Sequence, residues 1–188
     1  MKTAKTFIQS IGTLGLLFSL LACQSNSANR TLDELLQVGN AKMARGDYKG
    51  AEEEFNLGLQ KAPNNPNFLM QRGLAQAEQG KLILALEDYS NALAAQPDLF
   101  EALVHRGTTH NQLLQLDEAL LDFSEAIAIQ PQNAQAYANR AITYYNLGQV
   151  ELAIADLEQA KSIYQDTQEV VPLAQVEQLL SEYQQSDS

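Results

Sequence analysis

An all-α fold is predicted: a right-handed solenoid of four helix–turn–helix units closed by one capping helix. Four recurrences predict it. Small residues recur at one interval, Gly39, Gly73, Gly107 and Ala141 standing 34 residues apart. Ala51, Ala85, Ala119 and Ala153 keep that step, as do Phe55, Tyr89, Phe123 and Leu157. Pro63, Pro97 and Pro131 keep it too. Independent positions sharing one period mark stacked units, each too small to bury both of its apolar faces alone. The chain has 188 residues, 45% of them hydrophobic, enough for a sizeable core, and its single cysteine excludes a disulfide framework or a Cys-rich metal site. A net charge of −11 and a pI near 4.5 argue against a nucleic-acid binder, which needs a basic face.

The first element is an address. Lys2 and Lys5 precede an apolar run, Phe7–Leu21, that Gln9, Ser10, Gly12, Thr13, Gly15 and Ser19 dilute. This reads as a secretory signal over residues 1–22, too short and interrupted for a comfortable membrane span. It ends in Leu20-Leu21-Ala22-Cys23, which resembles the lipobox of bacterial lipoproteins, although Leu21 is bulkier than that family shows at its position. The resemblance implies lipidation of Cys23 and a place in the bacterial cell envelope, lipid-anchored and facing the periplasm. Gln24, where such proteins carry Asp for inner-membrane retention, favours the outer membrane. An ordinary signal peptide or an uncleaved anchor is the alternative. Cleavage before Cys23 would leave −13 over 166 residues, so acyl chains rather than surface charge would hold the domain to a membrane. Residues 23–31 read as the lipidated Cys and a flexible tether, of which Gln24–Arg30 is polar and reaches roughly 25 Å when extended.

The four units follow as residues 32–65, 66–99, 100–133 and 134–167. Each holds two apolar-periodic segments around a short break. Gly46, Gly80 and Gly148 suit a helix C-terminus that needs φ > 0, and Leu114 takes that place in the third unit at some strain. Gly39, Gly73 and Gly107 fall mid-helix, where Gly costs about 1 kcal/mol against Ala. That cost makes sense if a second helix crosses there and Phe55, Tyr89 or Phe123 fills the gap. The prolines end each second helix. Gln165 replaces the expected fourth proline. Beyond it Pro172 is expected at the first position of a capping helix within residues 168–183. Its stripe is Leu173, Val176, Leu180 and Tyr183, opposite Gln175, Glu177, Gln178 and Glu182. The stripe covers the last unit or docks a partner, and residues 184–188 are expected to be a disordered tail.

Period and pattern together resemble the tetratricopeptide repeat (TPR) in four copies, covering nearly all of the chain after the signal. The resemblance implies a protein-binding solenoid whose concave groove is lined by the fifth, ninth and twelfth positions of each first helix. By register these are Leu36, Asn40 and Met43; Met70, Leu74 and Ala77; Val104, Thr108 and Asn111; Ala138, Ile142 and Tyr145. The family's carboxylate clamp needs Lys and Asn at the fifth and ninth positions, and only Asn40 matches, so a clamp is not expected. The mixed apolar and amide surface suits an amphipathic helix or an extended segment.

A second recurrence sets Arg72, Arg106 and Arg140 before the small residue, and Glu54, Asp88, Asp122 and Asp156 before the aromatic position. This reads as a structural ion-pair ladder, pairing within a unit or with the unit before, or else as an anion site. Glu52 and Glu53 read as a solvated face near a helix N-terminus.

Little in the chain carries chemistry. His105 and His110 lie about 140° apart around one helix, so they cannot share a metal. His110 takes a core-aromatic position and reads as a hydrogen-bonded structural histidine. There is no phosphate loop or nucleophile elbow. The expectation is a non-enzymatic, membrane-tethered adaptor or scaffold without cofactor or metal, binding another envelope protein or peptide segment in envelope assembly. The alternative is a self-associating homo-oligomer, such as a homodimer.

Overall fold

The computed structural model describes residues 30–186, so the expected signal peptide, Cys23 and tether residues 23–29 lie outside the described residues. Among the described residues, eight helices form four antiparallel pairs. They are α1 (Leu32–Met43) with α2 (Tyr48–Lys61), α3 (Pro66–Glu78) with α4 (Leu82–Ala95), α5 (Phe100–Gln112) with α6 (Leu116–Ile129), and α7 (Ala134–Asn146) with α8 (Val150–Thr167). A ninth helix, α9 (Val170–Ser186), packs on α8.

Local chemistry sets the boundaries. Thr31 and Glu34 close a reciprocal capping box on α1, at 3.2 and 2.9 Å. Asp47, Asn65 and Asn133 cap α2, α3 and α7, and Pro66 opens α3 at a position whose N–H has no helical partner. The turns inside pairs two, four and one use Gly80, Gly148 and Gly46 at φ 73–75°, with open space around them. Leu114 holds the same left-handed turn at φ 59° with its side chain 78% exposed. Pro63, Pro97 and Pro131 follow one residue behind the C-caps of α2, α4 and α6. With Gln165 in the fourth such place, α8 runs on to 18 residues where its counterparts have 14. It stops at Gln168, in the left-handed conformation at φ 61°.

Packing follows the mid-helix glycines. A Cβ at Gly73 would stand 2.8 Å from Tyr89 Cε1, and one at Gly107 would stand 2.9 Å from Phe123 Cε1. Gly39 meets Phe55 more closely still. Phe55, Tyr89 and Phe123 are fully buried, so each ring of a second helix fills the notch in its first helix. Between units, Phe68 lies edge-on to Phe55 with centroids 6.3 Å apart.

Each first helix also touches the first helix of the next pair: α1 meets α3, α3 meets α5, and α5 meets α7. The second helices make no comparable contact among the described residues. The array therefore curves with its first helices on the inside.

The C-terminal helix differs from expectation at both ends. It begins at Val170, so Pro172 stands third rather than first, still within the turn whose N–H groups lack helical partners. It continues through Ser186, and Gln184, Gln185 and Ser186 are helical rather than a disordered tail. Val176, Leu180 and Tyr183 are buried on α8 and α7, while Gln175, Glu177, Gln178 and Glu182 face water.

Candidate functional site

The inner row of first helices carries the predicted groove residues, and the structure divides them. Asn40, Thr108 and Ile142 are exposed; Leu36, Met43, Leu74, Ala77 and Val104 are half-buried. Leu74, Ala77 and Thr108 come together in one hollow of about 290 Å³ between α3 and α5. Four of the predicted positions are engaged or covered within the chain. Met70 and Ala138 are buried at 8% and 7% exposure, because neighbouring helices close over the fifth position there. Asn111 donates from Nδ2 to Thr143 Oγ1 at 2.7 Å and so ties the third unit to the fourth. Tyr145 is covered by Tyr183 of α9, the rings parallel with centroids 3.8 Å apart. The capping helix therefore extends the inner row and closes its C-terminal end. Cys23, the predicted lipidation site, lies outside the described residues.

The arginines resolve the pairing that the sequence left open. Arg72 donates through Nε and Nη2 to both oxygens of Asp88, at 2.7 and 2.6 Å. Arg106 grips Asp122 at 2.9 and 2.6 Å, and Arg140 grips Asp156 at 2.7 and 2.8 Å. Each pair joins the two helices of one unit. The third nitrogen, Nη1, reaches back to the unit before: Asn56 at 2.7 Å, Ser90 at 3.3 Å and Ser124 at 3.1 Å. One planar guanidinium thus staples three helices. Hydrogen bonds donated to the Asp88 and Asp156 carboxylates hold the Arg72 and Arg140 protons more firmly than usual, against burial. Asn56, Ser90 and Ser124 also step by 34 and were legible by period alone, but their role was missed.

The first unit has Val38 at the arginine position. Glu54 is served there by Lys42 at 2.7 Å and Arg30 at 2.7 Å, from one turn along α1 and from the residue before its cap. Burial alone would raise the Glu54 pKa, but these two cations outweigh it and lower it. Glu52 is not a simple solvated residue: it accepts from Lys81 at 2.8 Å and Gln79 at 2.9 Å across the first unit boundary. His110 shares a hydrogen bond of 2.7 Å with Gln115 through Nδ1, and its Nε2 stands 3.8 Å from Asp122. His105, unassigned by the sequence, stacks on Tyr89 at 5.9 Å. A larger hollow, of about 470 Å³, lies by Pro63, Asn64 and Arg72, but that arginine is already committed to Asp88 and Asn56. Among the described residues no group of three or more His, Cys, Asp or Glu is placed to hold a metal ion, and no helix is long and apolar enough to cross a membrane.

Family models agree with this geometry. Tetratricopeptide-repeat models match residues 36–100 and 134–167, and a TPR-repeat model matches 111–148. No curated protein sequence matches the chain. Among solved structures, a thermophilic TPR protein of Thermus thermophilus is 22% identical over 84% of each chain, with a TM-score of 0.69. The MamA protein is 22% identical over 82% of this chain and 86% of its own, at 0.65. MamA of Desulfovibrio magneticus is 20% identical over 82% and 96%, at 0.64. At these identities the likeness concerns the fold.

Proposed function

We propose that this chain of tetratricopeptide repeats is a non-enzymatic adaptor, tethered to the bacterial envelope through Cys23, that holds a segment of another envelope protein against its inner row of helices. The observation that carries the reading is the open inner surface running from Asn40 through Leu74 and Thr108 to Ile142, flanked by half-buried aliphatic side chains. An apolar, amide-dotted groove suits a segment read by a few anchoring side chains. The lipobox-like Leu20-Leu21-Ala22-Cys23 supports the tether, and Gln24 supports the outer membrane.

A photo-cross-linking residue at Thr108, irradiated in intact cells, tests the groove. One dominant envelope protein in the adduct is the expected result, and adducts spread over many abundant proteins would reject it. Fractionation of Cys23→Ser tests the tether: release from membranes or failure of processing is expected, and persistent mature, membrane-bound protein would exclude lipidation.

Self-association is a second reading, favoured by exposed aliphatic residues on the second helices. Ile83 and Leu121 are each 66% exposed and Leu152 is 50% exposed. A sedimentation coefficient that rises with concentration would support it.

A further inference from the structure

The hollow between α3 and α5 is unlike the corresponding places elsewhere in the array. Its floor is Tyr89, where the first and third units have Phe55 and Phe123. The ring passes the Gly73 notch and is fully buried, and its hydroxyl completes no hydrogen bond, with Thr109 the side chain beside it. A buried, unpaired hydroxyl is costly, and a phenylalanine would have filled the notch without that cost. Two more features belong to this junction alone. Glu78 stands on the rim where the equivalent residues are Ala44, Gln112 and Asn146. It is exposed and makes no ion pair among the described residues. His105 stacks on the Tyr89 ring where Gln71 and Asn139 stand in the neighbouring units.

Several polar groups here are acceptors, beside the Gln112 amide, which both donates and accepts. Thr108 spends its proton on the Val104 carbonyl and Thr109 spends its proton on the His105 carbonyl, each at 2.8 Å. Their oxygens can then only accept. The Glu78 carboxylate accepts without donating. Burial lowers the His105 pKa, against the pull of Glu101 and Glu78, so the imidazole adds no positive charge at neutral pH. No lysine or arginine lines the hollow. A hollow of this size, rich in acceptors and carrying one free carboxylate, is complementary to a long side chain that only donates.

We propose that this hollow is a subsite for one lysine or arginine side chain of the segment bound along the inner row. The cationic head meets the Glu78 carboxylate and the Thr108 oxygen on the rim, while its aliphatic stem lies on Leu74 and Ala77. The proposal rests on the groove reading above and names the chemistry of its central anchor.

The test pans a randomised dodecapeptide library on the immobilised full chain and measures the affinities of the enriched peptides. Lysine or arginine should be enriched at one fixed position. Replacing that residue by norleucine should weaken binding about tenfold, as should Glu78→Gln in the protein. Enriched peptides with no basic position, or affinities indifferent to Glu78→Gln, would overturn the subsite and leave the groove reading standing. If no peptide is enriched above background, both fall.

Discussion

Arg106→Met removes one staple while keeping a long apolar stem. The Arg106 side chain is 23% exposed and that of Asp122 is 5% exposed, so the variant strands a carboxylate in the interior. Two short hydrogen bonds to Asp122, at 2.9 and 2.6 Å, are lost together with the 3.3 Å link to Ser90. Breaking a buried pair from one side costs about 3–5 kcal/mol, and the partly exposed arginine places this case near the lower figure. For a chain of this size about 3 kcal/mol corresponds to a drop in melting temperature of roughly 6–12 °C. The assay is urea denaturation followed by circular dichroism on Arg106→Met, Asp122→Leu and the double variant. The double variant should recover most of the loss, since replacing both charges by apolar groups removes the stranded carboxylate. A single variant within about 0.5 kcal/mol of wild type would refute the ladder as a source of stability. A double variant no better than Arg106→Met would refute the explanation through the stranded charge.

Gly73→Leu should cost at least about 1–3 kcal/mol in the same assay, because its Cβ would meet the buried Tyr89 ring at 2.8 Å and the Ala85 carbonyl oxygen at 3.2 Å; unchanged stability would contradict the notch packing. Leu114→Gly should gain about 1 kcal/mol, since an exposed leucine at φ 59° contributes strain and little burial, and a lower urea midpoint would contradict this. The Glu54 pKa is lower in the folded state, so its contribution is present above the unfolded value of 4.5 and is lost as pH falls through the folded value. Wild type should therefore melt above Glu54→Gln at neutral pH, with the gap closing below about pH 4.5; a constant gap would contradict the Lys42 and Arg30 pairing.

The helices and their turns were legible because their determinants are local or repeat at one step. Gly46, Gly80 and Gly148 stop first helices through φ alone, and Pro63, Pro97 and Pro131 stop second helices by blocking their continuation. Gln165 marked the departure in the last unit, where a missing proline lets α8 run four residues longer than its counterparts. The ends of α9 were less legible: Pro172 fits any place in a first turn, and polar Gln184 and Gln185 look alike in a tail and on an exposed helix face.

The groove was legible as a register of positions but not as a surface. Met70 and Leu36 share the fifth position of their helices, yet Met70 is buried and Leu36 is half-exposed, since exposure depends on what the neighbouring helices lay over each. Tyr145 could not be placed from sequence because Tyr183, its cover, stands 38 residues away in a helix outside the repeat. Glu54 carried the mark of the ladder without an arginine in register, and only the fold brings Arg30 and Lys42 to it.

By itself the sequence determined the period, the helix boundaries within the repeats, the glycine notches with the rings that fill them, and a ladder of arginines and acids. Those features depend on backbone conformation and on neighbours at a constant separation, so a one-dimensional pattern carries them. The tertiary structure decided which acid each arginine grips, how Nη1 binds the preceding unit, which end of the inner row is closed, and where a tyrosine hydroxyl is left unpaired. Those outcomes depend on distances between helices and on which side chain reaches a shared space first, and no spacing along the chain encodes that.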